Sequence, residues 1–145
     1  MKIGLASDHR GYTLKEQIKD ELIKENYEVI DYGTNSEEST DYPKYAFLLG
    51  EAVRDYKVDY GVAICGSGIG ISIACNKVKG VICAKVDSLE DVIATRTDNN
   101  ANIIAFGEKT SYEEALNWIK TFINTPCSME EKHQRRRLEI RDYEA

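Results

Sequence analysis

Cys65 is followed at once by a glycine-rich segment, and this combination is the part of the sequence best suited to chemistry. The segment runs Val62-Ala63-Ile64-Cys65-Gly66-Ser67-Gly68-Ile69-Gly70. Alternate glycines allow several backbone N–H groups to point toward one centre, and the helix expected after them adds the positive end of its dipole. The segment therefore predicts a pocket for negative charge, such as a phosphate, a carboxylate or an enediolate.

The thiol of Cys65 lies at the start of this predicted pocket. Amide dipoles favour a thiolate over the neutral thiol, and a thiolate is a competent general base. Spacing alone leaves a second interpretation open, in which Cys65 is a buried thiol and the glycines only make a tight turn. A phosphatase of the C-x5-R type is excluded because Ile71 stands where the arginine is required. The third glycine also comes one residue too early for a dinucleotide fingerprint.

The composition is that of an acidic globular protein, which would need a local cluster of basic residues to bind an anionic ligand. The chain has 145 residues, of which 42% are hydrophobic and 30% charged, and its formal net charge is −6. This charge disfavours binding to nucleic acid or to anionic lipid. The run from Lys132 to Arg137 is a local basic cluster, although in isolation it reads as a solvated helix face.

The cysteines favour a reducing compartment. The chain has four of them, namely Cys65, Cys75, Cys83 and Cys127. Three lie within apolar runs, where a free thiol behaves as a small hydrophobic group, and no pair has the spacing of metal ligands. No apolar run approaches the roughly 18 residues of a membrane span, and the first ten residues lack the apolar stretch of a signal peptide. We therefore expect a cytoplasmic protein.

Apolar runs of strand length alternate with stretches of helical period. The expected strands are Lys2–Ser7, Glu28–Tyr32, Gly61–Cys65, Val81–Val86 and Asn102–Phe106, and the expected helices follow Gly11 and cover 43–56, 71–76, 89–97, 112–124 and 130–143. This alternation predicts one α/β domain over residues 1–145, with a mainly parallel five-stranded sheet covered on both faces. The very apolar helix 71–76 is expected to be buried on most sides. Ligands bind at the carboxyl ends of such strands, so we expect the site after Ser7, Cys65, Thr97 and Phe106.

Separate motifs then occur in one order along the chain. They are Asp8-His9-x-Gly11, Thr40-Asp41-Tyr42-Pro43, Cys65-Gly66-Ser67-Gly68-x-Gly70-x-Ser72-Ile73-Ala74-x-Asn76-Lys77, Asn99-Asn100-Ala101-Asn102 and His133-Gln134-x-Arg136. With these motifs the chain resembles the type B ribose-5-phosphate isomerases, relatives of galactose-6-phosphate isomerase subunits, over essentially its whole length. The resemblance implies a three-layer α/β/α, Rossmann-like fold and an enzyme of pentose-phosphate metabolism. It also implies a homodimer, sometimes paired into a tetramer, with active sites between subunits.

The resemblance assigns roles to residues of this chain. Cys65 matches the cysteine that serves as the base in one branch of the family, and Ile71 stands where a second branch has a glutamate. Ser67 and the loop amides would hold the enediolate oxygens, so no metal or cofactor is called for. The substrate-binding set is Asp8, His9, Tyr42, Gly66, Ser67, Gly68, Ile69, Gly70 and Asn99. The phosphate-binding set is Lys109, Lys132, His133 and Arg136, with lysine at two of three positions where the family has arginine.

Several of these residues also have an ordinary structural interpretation. From the residues alone, Asp8 could cap the first helix, His9 could be a surface histidine, and the segment 98–100 could be a polar turn.

Asp98 is the main departure from the family pattern. Most members carry a histidine at this position, just before the asparagine pair, and that histidine is assigned to opening the sugar ring. An ordinary aspartic acid is a poor proton donor at neutral pH. Three possibilities stay open: Asp98 acts in an altered environment, His9 takes the role, or the enzyme uses open-chain substrate.

Three functions are consistent with these patterns. The first is interconversion of ribose 5-phosphate and ribulose 5-phosphate through a cis-enediolate, with Cys65, Ser67 and Asp98 as catalytic residues. The second is a hexose-6-phosphate isomerase of the galactose or allose type. Galactose-type subunits usually lack the complete Cys-Gly-[ST]-Gly pattern in one chain, so its presence favours the pentose. The third, motivated by Asp98, is a non-catalytic module that binds sugar phosphates.

Overall fold

The computed structural model describes residues 1–144, in which five strands and six helices alternate along the chain. The strands are β1 (Lys2–Ser7), β2 (Glu28–Asp31), β3 (Tyr60–Cys65), β4 (Cys83–Lys85) and β5 (Ile103–Gly107). The helices are α1 (Tyr12–Lys24), α2 (Tyr42–Arg54), α3 (Ile69–Asn76), α4 (Leu89–Asn99), α5 (Tyr112–Asn124) and α6 (Glu131–Tyr143). The predicted domain also included Ala145, which lies outside the described residues. Within residues 1–144, no helix is both long and apolar enough to cross a membrane.

All five strands are parallel, and their order across the sheet is β2-β1-β3-β5-β4. Strand β3 therefore lies at the centre, between β1 and β5. Because side chains alternate along a strand, Val62 and Ile64 pack in the core with α1, α4 and α5. Ala63 and Cys65 pack on the opposite face with α2 and α3. The predicted three-layer α/β/α fold is confirmed.

Helix α3 differs from its prediction in two ways. It begins at Ile69 rather than Ile71, so the second half of the expected glycine loop forms the first helical turn. Ile71, Ser72, Ala74 and Cys75 are buried as expected, but one side of the helix is open to solvent, since Ile69 and Ile73 are 54% and 57% exposed. These two residues are four positions apart and therefore share one face, which points away from the core.

All four cysteines are free. Cys65, Cys75 and Cys83 are buried and Cys127 is half-buried. The neighbouring Cys75 and burial raise the pKa of the Cys83 thiol well above its ordinary value. Cys83 is therefore a neutral apolar group at physiological pH.

A buried ion pair joins α1 to the end of β2. The side chain of Lys15 is completely buried, and its Nζ donates a hydrogen bond of 2.7 Å to Asp31 Oδ2. Lys19 Nζ donates to the same oxygen at 3.0 Å. Burial raises the pKa of the Asp31 carboxyl, but hydrogen bonds from Lys15, the Gly33 N–H and Lys19 outweigh burial, so that the pKa is lowered.

Asp31→Ala is expected to lower the free energy of unfolding by about 3 kcal/mol, because it leaves the buried Lys15 ammonium with only the more distant Glu16, 3.7 Å from its Nζ. Because the folded pKa of Asp31 is lowered, its stabilisation is present above the ordinary carboxyl pKa and is lost as the pH falls through the folded value. Urea unfolding at several pH values measures both effects. Glu25→Ala is the control, since Glu25 pairs with Lys120 at the surface, and we expect a change below about 1 kcal/mol. Equal losses in the two variants would contradict this interpretation.

Candidate active site

A pocket of about 750 Å³ opens at the carboxyl ends of β1, β3 and β5. Eight of the residues predicted for the site line it, namely Asp8, Tyr42, Cys65, Gly66, Ser67, Ile69, Gly70 and Lys109. They come from four separate segments of the chain. The parallel sheet brings these segments together because each follows the end of a strand or begins a helix at the same edge.

Cys65 is the last residue of β3 and forms part of the pocket wall. Its side chain is 4% exposed, and its Sγ accepts a hydrogen bond of 3.2 Å from the Gly68 N–H. This contact requires Gly68 to turn back with a φ of +82°, and a Cβ there would lie 2.6 Å from the Phe106 carbonyl carbon. Only glycine fits such a position. The loop thus holds an amide dipole against the sulfur.

Two further donors stand around the same loop. Tyr42, in the first turn of α2, packs on Gly70 so closely that a Cβ on that glycine would lie 2.6 Å from its Cζ. Ser67 Oγ accepts from the Ile69 N–H at 3.1 Å, and its own hydroxyl hydrogen is free to point into the pocket. Backbone amides, a serine hydroxyl and a tyrosine hydroxyl therefore surround a space beside the thiol. This arrangement suits a ligand with several oxygens.

Asp8 has both a local structural contact and a free oxygen. Its Oδ1 accepts from the N–H groups of Arg10 at 3.0 Å and Gly11 at 3.1 Å, which caps the turn into α1. Its Oδ2 takes part in no hydrogen bond within residues 1–144, and the residue lines the pocket. His9 does not line it. The His9 Nδ1 instead lies 3.2 Å from both the backbone N and O of Thr40. Gly68, which was also predicted for the site, is not among the residues that line the pocket.

The remaining predicted site residues are Asp98, Asn99, Lys132, His133 and Arg136, and they do not reach this pocket in one chain. Helix α4 starts near the carboxyl edge of the sheet and is about 16 Å long at 1.5 Å per residue. Asp98 and Asn99 end this helix, and β5 begins shortly afterwards, so both lie near the amino ends of the strands. The expectation that the segment after Thr97 lies at the carboxyl edge is wrong for a single chain, because Thr97 belongs to α4.

The second group of predicted residues forms a cluster of its own at the end of α4. His133 Nε2 lies 3.6 Å from Asp98 Oδ1. Arg137 holds α6 in place by donating to the carbonyl oxygens of Asp98 at 3.2 Å and Ser128 at 2.8 Å. Lys132 and Arg136 are both exposed, and Lys132 Nζ lies 3.8 Å from Glu130 Oε2 in a pair at the surface.

Four pocket residues were missed by the sequence prediction, namely Arg10, Asp87, Gly107 and Thr110. Arg10 is the most informative, because a hydrogen-bonded Glu108 raises the pKa of its guanidinium and it stays charged. Its position next to Asp8 and His9 was a usable signal. The ion pair with Glu108 could not be predicted from the sequence, since 98 positions separate the two residues.

Comparison with known proteins gives consistent matches. Residues 3–140 match the family described as Ribose/Galactose Isomerase. The chain is 43% identical over 111 residues to ribose-5-phosphate isomerase B of Escherichia coli, covering 74% of this chain and 72% of that protein. It is 42% identical to the solved ribose-5-phosphate isomerase B of Clostridium thermocellum, with a TM-score of 0.94 and 99% and 97% coverage. The Mycoplasma genitalium enzyme, solved with bound ribulose-5-phosphate, is 36% identical with a TM-score of 0.91, covering 99% of this chain and 95% of that one.

Proposed function

The chain belongs to the ribose/galactose isomerase family and is therefore an aldose–ketose isomerase of sugar phosphates, and we propose that its substrates are ribose 5-phosphate and ribulose 5-phosphate. One observation carries the proposal: Cys65 Sγ lies in the pocket wall, 3.2 Å from the Gly68 amide. The ribulose-5-phosphate bound to the Mycoplasma relative supports the choice of a pentose. The complete Cys65-Gly66-Ser67-Gly68 pattern supports it as well.

In the proposed reaction, the Cys65 thiolate acts as the base on the open-chain sugar. The sulfur takes the proton from C2, and the electron pair of that C–H bond becomes the C1–C2 double bond of a cis-enediolate. The negative charge moves to the oxygen on C1, where the loop amides and the Ser67 hydroxyl stabilise it. A proton moves from the oxygen on C2 to the oxygen on C1, and the sulfur returns its proton to C1. The electron pair left on the C2 oxygen then forms the C2 carbonyl, and C1 becomes a CH2OH group. Loss of one such donor typically costs about 10²–10³ in rate.

The other pocket residues are proposed to orient the sugar. Asp8 and Tyr42 line the same pocket as Cys65, where the free Oδ2 of Asp8 and the hydroxyl of Tyr42 can bind sugar hydroxyl groups. Lys109 is exposed at the rim and supplies a positive charge for the phosphate. Correct orientation of a substrate lowers the activation free energy substantially, because the entropic cost of aligning the reacting groups is met on binding.

We further propose a homodimer whose second copy completes each pocket. Asp98, Asn99 and the basic residues of α6 are predicted site residues that lie at the other edge of their own sheet. No side chain of α6 is buried, and Ile69 and Ile73 form an exposed apolar face beside the pocket. A partner that covers this face would bring its own α4 end and α6 with it. Ring opening would then draw on Asp98 with the imidazole of His133 beside it.

Three earlier expectations stay predictions: residues 1–145 as one catalytic domain, a cytoplasmic location, and pairing of dimers into a tetramer.

A coupled assay with ribose 5-phosphate tests the proposed function. We expect kcat/KM for ribose 5-phosphate to exceed that for allose 6-phosphate and galactose 6-phosphate by at least about tenfold, a difference that pocket fit alone can supply. Faster turnover of either hexose phosphate would replace the pentose with that sugar. If ribose 5-phosphate raises the melting temperature without turnover, the protein is a binding module and the proposal fails.

A further inference from the structure

The mouth of the pocket carries an ion pair that the mechanism above does not use. Arg10 follows β1 and Glu108 follows β5, and two hydrogen bonds join them: Nε to Oε2 at 3.1 Å and Nη2 to Oε1 at 2.9 Å. Because β3 lies between β1 and β5 in the sheet, this pair crosses the carboxyl end of β3. Cys65 and Gly66 lie at that end.

The guanidinium group of Arg10 rests directly on the glycine loop. A Cβ on Gly66 would lie 2.5 Å from its Nη1 and 2.7 Å from its Cζ. Both members of the pair are also fixed through their backbones, since the Arg10 N–H donates to Asp8 Oδ1 at 3.0 Å and the Glu108 N–H donates to the Gly66 carbonyl at 3.2 Å. A long side chain that is normally flexible is thus held in one orientation over the pocket.

Three of the five N–H groups of this guanidinium are unused. Glu108 takes one on Nε and one on Nη2, which leaves two on Nη1 and one on Nη2. None of the three has a partner within residues 1–144, and the side chain is 55% exposed where it lines the pocket. The free N–H groups form the second planar edge of the guanidinium, which matches two oxygens of a phosphate.

Two positively charged side chains in the pocket wall, Arg10 and Lys109, favour binding of an anion. Lys109 is the other cation in the wall and follows Glu108 directly. The other charged groups of the wall are negative, namely the Asp8 and Asp87 carboxylates and the thiolate of the proposed mechanism. A dianionic phosphate in this pocket is therefore attracted to Arg10 and Lys109.

We propose that Arg10 is a further phosphate-binding residue of this pocket, and that Glu108 is a positioning residue that fixes its guanidinium. The inference rests on the proposed function, because it assigns the phosphate end of that substrate. The Arg10 guanidinium can donate two hydrogen bonds in one plane to the phosphate, whereas the Lys109 ammonium acts only as a point charge.

The probe is inorganic phosphate, whose Kd is measured by calorimetry together with the kinetics of ribose 5-phosphate. Arg10→Met is expected to raise this Kd and the KM about tenfold, while kcat changes less than about threefold. Arg54→Met is the matched control. Arg54 makes the same pair of hydrogen bonds, to Asp55 at 2.9 and 3.1 Å, at the exposed end of α2, and we expect no change in either constant.

The positioning role of Glu108 has its own readout. Glu108→Ala is expected to raise the phosphate Kd about threefold in the wild-type background and to have no further effect in the Arg10→Met background. An additive effect in the double variant would show that Glu108 does not act through Arg10.

These outcomes separate the inference from the proposed function, because phosphate binding is measured without turnover. A wild type that binds phosphate through Arg10 but does not isomerise ribose 5-phosphate would overturn only the proposed function. Unchanged Kd and KM in Arg10→Met would overturn the inference. A loss of kcat with an unchanged phosphate Kd would also overturn it, since Arg10 would then act at the reacting oxygens.

Discussion

Replacing Cys65 by alanine is expected to lower kcat for ribose 5-phosphate by at least about a thousandfold, while inorganic phosphate still binds. The alanine methyl group cannot accept a proton, and Ile71, which occupies the position of the alternative base, is completely buried. The substitution removes a single sulfur atom and with it the acceptor of the Gly68 N–H, but the contact of Gly68 with the Phe106 backbone remains. The coupled assay gives kcat, and calorimetry gives the phosphate Kd.

Cys127→Ala is the control for this prediction, because Cys127 is half-buried and does not line the pocket. Its kcat should stay within about twofold of wild type, as for most substitutions away from a site. If Cys65→Ala isomerises ribose 5-phosphate as fast as wild type, the proposed mechanism is wrong. If both variants lose activity equally, the loss reflects general damage to the fold.

Two variants that each have little activity at ribose 5-phosphate concentrations well below the wild-type KM are expected to restore activity at those concentrations when they form mixed dimers. One variant is Cys65→Ala, and the other carries Lys132→Met with Arg136→Met, whose side chains are exposed on α6. In a mixed dimer, one of the two pockets combines an intact Cys65 with an intact α6 from the other copy. Random pairing makes half of the dimers mixed, so we expect about a quarter of wild-type activity after co-refolding at equal amounts.

The control for the mixing experiment pairs Cys65→Ala with Cys65→Ser, since no combination of these chains contains an intact thiol. That mixture should show no recovery. Absence of recovery in the test mixture as well would mean that α6 does not complete the pocket of a neighbouring copy, and the proposed dimeric site would have to be abandoned.

Much of the fold could be predicted because the apolar pattern of each element is strong and bounded by polar residues. Strand β1 and helix α5 have the bounds predicted from sequence, and the Ser111 side chain caps α5 by accepting from Glu114 N–H. Strand β4 is shorter than predicted, Cys83–Lys85 instead of Val81–Val86. It is an edge strand that pairs only with β5, and apolar pattern does not reveal how far a single ladder extends.

The site could be predicted where it follows from local pattern and not where it depends on distant contacts. Gly68 marks the turn correctly, but Gly70 lies within α3, because a glycine in a helical turn looks the same in sequence as a glycine in a loop. Asp8 and Tyr42 were found through their motifs. The pairing of Arg10 with Glu108 depends on the strand order, which brings the ends of β1 and β5 to either side of β3. Neither segment contains a local pattern that predicts this strand order.

The transfer of a proton by the Cys65 thiolate is tested most directly by hydrogen exchange at C2 of ribose 5-phosphate in D₂O, followed by proton NMR. With wild type, we predict that the C2–H signal disappears as deuterium from solvent replaces the proton taken up by the sulfur. With Cys65→Ala, the signal should persist at least about a thousandfold longer at saturating sugar. Exchange at the wild-type rate without the sulfur would show that another group removes this proton.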